Sequence, residues 1–298
     1  MKKFILGATF VASSLMADVS TILPYAGYIN YDSNINKSTK DTASLFGIHY
    51  SKGNLSYLFE LDYSHLNSVY KSQYESTPFG QTVNNPSDLK QDDFVIAYSN
   101  YKTNYMSKVG YHYVSTNDET LGDGHIFNYT IGGYKWKGYD KYSLGLESYY
   151  SIYSDGHDEN YDSKAINIFQ FTPYVSFYQG INVNTSNTIS LKLNYEIATD
   201  YVDTDYVSYE FSDTFAYKKF FTTASFYTGE SRTGVKDGGS TVFNSLDLMK
   251  TGYNLKVGYY LKPNTILTFS YGANTYREYK ASSDGTNNVM VTSLSYNF

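Results

Sequence analysis

Apolar and polar residues alternate with a period of two along most of this 298-residue chain, which leaves few folds open to it. In 189–197 the odd positions are Ile189, Leu191, Leu193, Tyr195 and Ile197, and the even ones are Ser190, Lys192, Asn194 and Glu196. In 253–261, Tyr253, Leu255, Val257, Tyr259 and Leu261 oppose Asn254, Lys256 and Gly258. In 55–63, Leu55, Tyr57, Phe59, Leu61 and Tyr63 oppose Ser56, Leu58, Glu60 and Asp62. Successive side chains of a strand point to opposite faces, so each segment reads as a strand between two different solvents. Apolar faces of this size would be large exposed patches in water, so they meet lipid or a protein core.

Alternation and turn residues together place fourteen strands, at 21–31, 41–51, 54–65, 92–102, 104–115, 124–136, 141–153, 164–178, 186–199, 205–217, 218–230, 249–261, 264–279 and 287–298. Each is long enough to cross a bilayer as a tilted strand, which takes about 9–11 residues. The connections broadly alternate short and long. Ser51–Asn54, Tyr101–Asn104 and Lys262–Asn264 are tight, whereas 66–91 and 231–248 are long. The 179–185 connection is longer than this rhythm predicts, and 200–204 is shorter. Short turns on one side and long loops on the other are the mark of an up-and-down transmembrane barrel. A soluble β-sandwich also alternates. The aromatic ends of the apolar faces, the loop rhythm and the charges recurring on the opposite faces favour the membrane. The expected fold is therefore all-β, a transmembrane antiparallel up-and-down barrel of about fourteen strands; one miscounted pair would make it twelve or sixteen. Pro173 falls mid-strand, where it removes a ladder hydrogen bond, and a bulge or kink is expected there.

Composition agrees. The chain has 36 Tyr, 18 Phe and one Trp, a load that suits aromatic girdles at two membrane interfaces. A mean hydropathy of −0.43 is too low for a helical membrane protein, but a barrel with a polar lumen is compatible with it. Residues 1–17 read as a cleaved signal peptide, with Lys2 and Lys3 ahead of an apolar run and Ala17 before the cut, leaving 18–298 as a single barrel domain. Without Lys2 and Lys3, 21 basic residues face 29 acidic ones, a net charge of −8 that disfavours nucleic acid. The absence of cysteine excludes disulfides, Cys-based metal sites and a Cys nucleophile.

The chain ends Asn287-Asn-Val-Met-Val-Thr-Ser-Leu-Ser-Tyr-Asn-Phe298, with Leu294, Tyr296 and Phe298 on one face. It resembles the closing strand of bacterial outer-membrane β-barrel proteins. In size and strand number the whole chain resembles the monomeric fourteen-stranded outer-membrane porins. That resemblance implies a place in the bacterial outer membrane, contact with lipid and lipopolysaccharide, and a passive channel for ions and small hydrophilic solutes. It also implies that Phe298, Tyr296 and Leu294 serve as the signal read by the barrel-assembly machinery. The first strand is expected within a few residues of the cleavage site, without the plug that precedes the barrel of fourteen-stranded fatty-acid transporters. Closing the ring pairs the last strand with 21–31, around Tyr25, Gly27 and Ile29.

Strand parity assigns Glu60, Asp62, Lys108, His112, Glu147, Lys192, Glu196, Glu210 and Lys256 to the lumen wall. Facing charges in a narrow aqueous pore sort ions, and five acids against three lysines predict a mild cation preference. Loops 66–91 and 231–248 either fold into the mouth or shield it from outside. Two acidic clusters, Asp155/Asp158/Glu159/Asp162 and Asp200/Asp203/Asp205, read better as solvated loop charge than as Ca²⁺ sites. No G-x-S-x-G, phosphate-binding loop or zinc spacing occurs, and His49, His65, His112, His125 and His157 stand in no catalytic pattern. The expectation is a channel with no enzymatic activity and no cofactor. Its rivals are a transporter for one solute class, using aromatics such as Tyr149 and Tyr260 as a track, and a structural or adhesive barrel with a closed lumen.

Overall fold

Fourteen antiparallel strands close into one barrel in the computed structural model, which describes residues 18–32, 34, 38–71, 73–77, 80–84, 88–117, 121–157, 163–199, 205–232, 234–236, 239, 241–242, 247–278 and 282–298. The wall is built from β1 (Val19–Tyr31), β2 (Lys40–Gly53), β3 (Tyr57–Tyr70), β6 (Leu89–Tyr101), β7 (Tyr105–Thr116), β8 (Gly124–Lys137) and β9 (Asp140–His157). It continues through β10 (Ser163–Asn182), β11 (Thr185–Thr199), β12 (Asp205–Tyr217), β13 (Phe220–Ser231), β16 (Leu248–Lys262), β17 (Thr265–Arg277) and β18 (Gly285–Asn297). Two hairpins stand apart from the wall, β4 (Gln73–Thr77) with β5 (Gly80–Asn84), and β14 (Val235–Lys236) with β15 (Thr241–Val242). The proposed signal segment 1–17 lies outside the described residues, as do Asp158, Glu159, Asp162, Asp200 and Asp203 of the acidic clusters.

The ring closes where expected. Tyr25 pairs with Ser293, Gly27 with Val291 and Ile29 with Val289. Ser20 and Phe298 exchange both backbone hydrogen bonds, at 3.1 and 2.9 Å, so the final residue is stitched to the first strand. With no free edge, every wall strand has a ladder partner on each side, as a low-dielectric surround requires.

Burial is inverted relative to a soluble domain. Phe46, Leu144, Val175, Phe211, Leu255 and Phe269 point outward and are exposed, while Ser51, Ser64, Asn128, Thr172, Ser208 and Ser295 point inward and are buried. This arrangement separates the barrel from the sandwich, since a sandwich would turn the apolar set inward. Tyr105, Tyr142, Tyr217, Phe220 and Tyr296 crowd the outer surface beside the short turns, as in an interfacial girdle.

Two expectations need correction. Pro173 causes no bulge: β10 pairs Phe171 with Tyr195 and Tyr174 with Lys192 in unchanged register, and only the partnerships of Thr172 and Pro173 with β11 are missing. Towards β9, Pro173 keeps its place opposite Leu146. A strand residue hydrogen-bonds to one neighbour only, so a missing N–H opens one ladder and leaves the other intact. The long 179–185 connection also disappears. Strand β10 runs on to Asn182, with its register shift between Gly180 and Asn182, and leaves a two-residue turn.

Candidate functional site

Polar side chains from many strands converge in the lumen, and the β14–β15 hairpin folds into it. Val235 is buried among Val114, Ile126 and Tyr149 from β7, β8 and β9. Its backbone is held as if by another strand: Gln170 on β10 accepts from Val235 N at 2.7 Å and donates to Val235 O at 2.8 Å. The start of the segment is fixed by Glu196 on β11, which accepts from Ser231 Oγ at 2.6 Å and from Arg232 N at 2.9 Å. Lys236 Nζ reaches Glu210 on β12 at 3.7 Å and lies 3.9 Å from the Tyr227 ring centroid. At Gly239 the carbonyl accepts from His112 Nδ1 at 2.9 Å, while His112 Nε2 meets Asp93 at 2.8 Å.

Gly239 has to be glycine. Its φ of +94° lies in the left-handed region, and a Cβ there would sit 2.0 Å from Asn128 Nδ2. The last anchor is Asp247, which pairs with Lys40 on β2 at 2.6 Å. The hairpin therefore occupies the arc of lumen faced by β7 to β13. The rest, faced by β16 to β18, β1 to β3 and the edges of β6 and β7, holds a cavity of about 440 Å³. Its lining mixes Tyr25, Tyr31, Tyr276, Ile29, Leu45, Leu66, Met249 and Val289 with Lys40, Asp62, Asp93, His112, Asp247 and Gln91.

The inner face is also less uniformly polar than expected. Towards its outer end Leu121, Tyr153, Ile166, Ile168, Ala198, Tyr206 and Leu248 form one apolar cluster, and Tyr227, Met249 and Tyr276 another against Tyr31. These are the strand ends nearest the long loops, so the apolar layers narrow the lumen on that side.

The nine residues expected on the lumen wall share the inner parity of their strands, but the structure sorts them into separate groups. Glu60 pairs with Lys108 at 2.9 Å, and Glu147 with Lys192 at 2.9 Å. Asp62 accepts from Tyr25 at 2.8 Å and faces His49 Nδ1 at 3.2 Å. His112, Glu196 and Glu210 hold the hairpin. Lys256 sits apart on β16, opposite Thr223 and Ser270. Each of the five acids is engaged by a partner: Glu60, Glu147 and Glu210 by lysines, Glu196 by Ser231 and Arg232 N, and Asp62, which borders the cavity, by Tyr25 and His49. Tyr149 and Tyr260 do not form a track. Tyr149 is buried under the hairpin and donates to Glu147 at 2.6 Å, while Tyr260 packs edge-on to Phe221.

The described histidine side chains are dispersed: His65 pairs with Asp92, His125 with Tyr111, and His49 and His112 as above, while the His157 side chain lies outside what is described. Among the described residues, no three His, Asp or Glu side chains form a metal-sized group. Sequence reasoning missed Asp93, Tyr25, Tyr31, Gln170 and Gly239. Parity carried a signal for Asp93, because Phe94, Ile96 and Tyr98 claim the outer face of β6. Nothing local pointed to Gln170 or Gly239.

No protein-family model matches the chain, and no curated protein matches it. Among solved structures it is similar to the toluene transporter TbuX of Ralstonia pickettii, at 9% identity and a TM-score of 0.57, covering 95% of this chain and 90% of that one. It is also similar to the Pseudomonas putida toluene transporter TodX, at 10% identity and a TM-score of 0.51 over 94% and 88% of the two chains. A third likeness is to CymD, a monoaromatic hydrocarbon channel, at 7% identity and a TM-score of 0.52 over 95% and 88%. What the chain shares with them is the fold, the closed fourteen-stranded barrel of bacterial outer-membrane proteins.

Proposed function

We propose that this protein is a selective channel of the bacterial outer membrane for small, largely apolar solutes, rather than a wide pore for hydrophilic ones. The observation that carries this reading is the β14–β15 hairpin, which fills one side of the lumen and leaves a cavity of ligand size beside it. Ligand sites of about 300–1,000 Å³, mostly apolar with a few placed polar groups, match what remains. The structural likeness to two toluene transporters and a monoaromatic hydrocarbon channel favours the same solute class. In this reading Glu60, Asp62, Lys108, Glu147, Lys192 and Lys256 line the exit path on the short-turn side, while His112, Glu196 and Glu210 hold the constriction.

Uptake into cells tests the proposal, because a lipopolysaccharide surface slows apolar solutes that a plain lipid bilayer admits. Expression in the outer membrane of a host with intact lipopolysaccharide should accelerate entry of labelled toluene over a vector control and leave arabinose entry unchanged. Faster arabinose entry with unchanged toluene entry would return the reading to a diffusion porin. The proposed route to that membrane includes the signal peptide and a closing strand read by the assembly machinery. Deleting Phe298 should therefore lower the yield of heat-modifiable, SDS-resistant barrel while leaving the uptake per folded molecule unchanged. Normal yield would remove the recognition role and leave the barrel.

A further inference from the structure

The charges in the cavity beside the hairpin narrow the solute class, an inference that rests on the selective-channel reading above. From its outer end inward, the inner face of β1 runs Tyr31, Ile29, Tyr25, and that of β3 runs Ser68, Leu66, Ser64, Asp62. The rim holds the Lys40–Asp247 pair, a belt of aliphatic side chains follows, and Asp62 and Asp93 lie deepest. Asp62, Asp93 and Asp247 thus face Lys40, with both His112 nitrogens donating, one to Asp93 and one to the Gly239 carbonyl, so that Asp62 is the carboxylate least compensated.

Lys40 neutralises Asp247, but neither Asp62 nor Asp93 has a lysine or arginine within ion-pair distance among the described residues. Asp62 meets the Tyr25 hydroxyl at 2.8 Å and His49 at 3.2 Å. Asp93 meets Gln91 Nε2 at 2.9 and 3.1 Å, His112 at 2.8 Å and Ser64 at 3.4 Å. The Tyr25 ring is pressed over Gly47, where a Cβ would stand 2.3 Å from its Cζ, so an aromatic face is fixed beside Asp62.

We propose that this cavity selects small primary amines with an apolar body the size of a single ring, carried as ammonium ions. The body would sit in the aliphatic belt, and the ammonium would donate to Asp62 beside the face of Tyr25, with Asp93, held by His112, adding less to the local field. Coulomb attraction is stronger in an enclosed site than in water, a charge-assisted hydrogen bond is roughly twice as strong as a neutral one, and an aromatic face attracts a cation. The same field repels carboxylates. A neutral hydrocarbon gains only the belt.

Toluene, benzylamine and benzoate share one ring and differ in charge, so titrating the refolded full chain in micelles with each, at pH 8 and against empty-micelle blanks, isolates the effect. Benzylamine should bind about tenfold or more tighter than toluene, and benzoate should show no saturable binding. Asp62→Asn should remove most of the benzylamine advantage and leave toluene affinity unchanged, with SDS heat-modifiability showing that the barrel is intact. Should that variant fail to fold, Asp93→Asn is expected to give a smaller loss in the same direction. Toluene binding as tightly as benzylamine would overturn the amine selectivity and leave the selective channel standing. Binding of none of the three would overturn both, and an amine preference that survived in both variants would overturn the assignment to these carboxylates.

Discussion

The two arcs of the lumen wall carry similar kinds of side chain and end in opposite conditions. On the β7–β13 arc, Gln170, Glu196, His112 and Glu210 each have a partner in the hairpin segment, which packs against that side. On the β16–β3 arc, Asp62, Asn274, Asn287 and Tyr276 border open space. The difference is not the wall but what one long connection does with it. A backbone segment lying in a lumen must have its N–H and C=O groups met, and the Gln170 amide does this for Val235 as a neighbouring strand would. The wall supplies stability on one side and a binding-sized space on the other.

Breaking the filled arc should have the largest effect. Gly239→Val forces a β-branched residue into a left-handed conformation and against Asn128, a strain of about 1–3 kcal/mol before the clash. The hairpin should leave the wall. The chain has no native cysteine, so Val235→Cys gives a single label site, slow to react with a maleimide in the parent and fast in the Gly239→Val background. Equal rates in the two would mean that the tip does not hold the hairpin.

A milder break is Glu196→Ala, which strands the Ser231 hydroxyl and the Arg232 N–H at about 1–3 kcal/mol per buried group. Labelling at position 235 should rise to an intermediate rate. On the open arc, Leu66→Trp should fill the cavity and abolish solute binding while leaving labelling at position 235 unchanged. A change in that rate would mean that the two arcs are coupled.

The smallest effect is expected at Asp284, between β17 and β18. Its hydrogen bond with Lys250 holds the carboxyl below the usual carboxylate range; burial opposes this, and the hydrogen bond from Arg277 adds to the lowering. A lowered folded value stabilises above the unfolded value near 4 and is lost as pH falls through the folded one. The side chain is 35% exposed, so solvent screening keeps the contribution below about 1 kcal/mol. Asp284→Asn should slightly lower the SDS-melting temperature at pH 7 and match the parent at pH 2–3. A variant deficit that persisted at pH 2 would assign the effect to packing.

The wall was legible because its signal is local. Residues two apart report which side a strand turns to each solvent, and 205–217 is matched to the residue. The closing pair followed from an even strand count and was found around Tyr25, Gly27 and Ile29. Parity also placed His112 and Glu196 on the inner side, but it cannot say what a side chain meets across a lumen. Val235 lies 65 residues from Gln170, and Gly239 lies 127 from His112. These contacts depend on the closed ring, and no window along the chain contains both partners. Parity therefore assigned His112, Glu196 and Glu210 to the lumen wall without showing that they anchor the hairpin segment.

Single-channel conductance in a planar bilayer tests the central claim, comparing the intact chain with one in which residues 234–242 are replaced by a short Gly-Ser link. The intact barrel should pass little steady ionic current, and the hairpin-deleted barrel should conduct steadily and ohmically. Equal ohmic conductance from both would contradict the account, because the hairpin would not then be what closes the lumen.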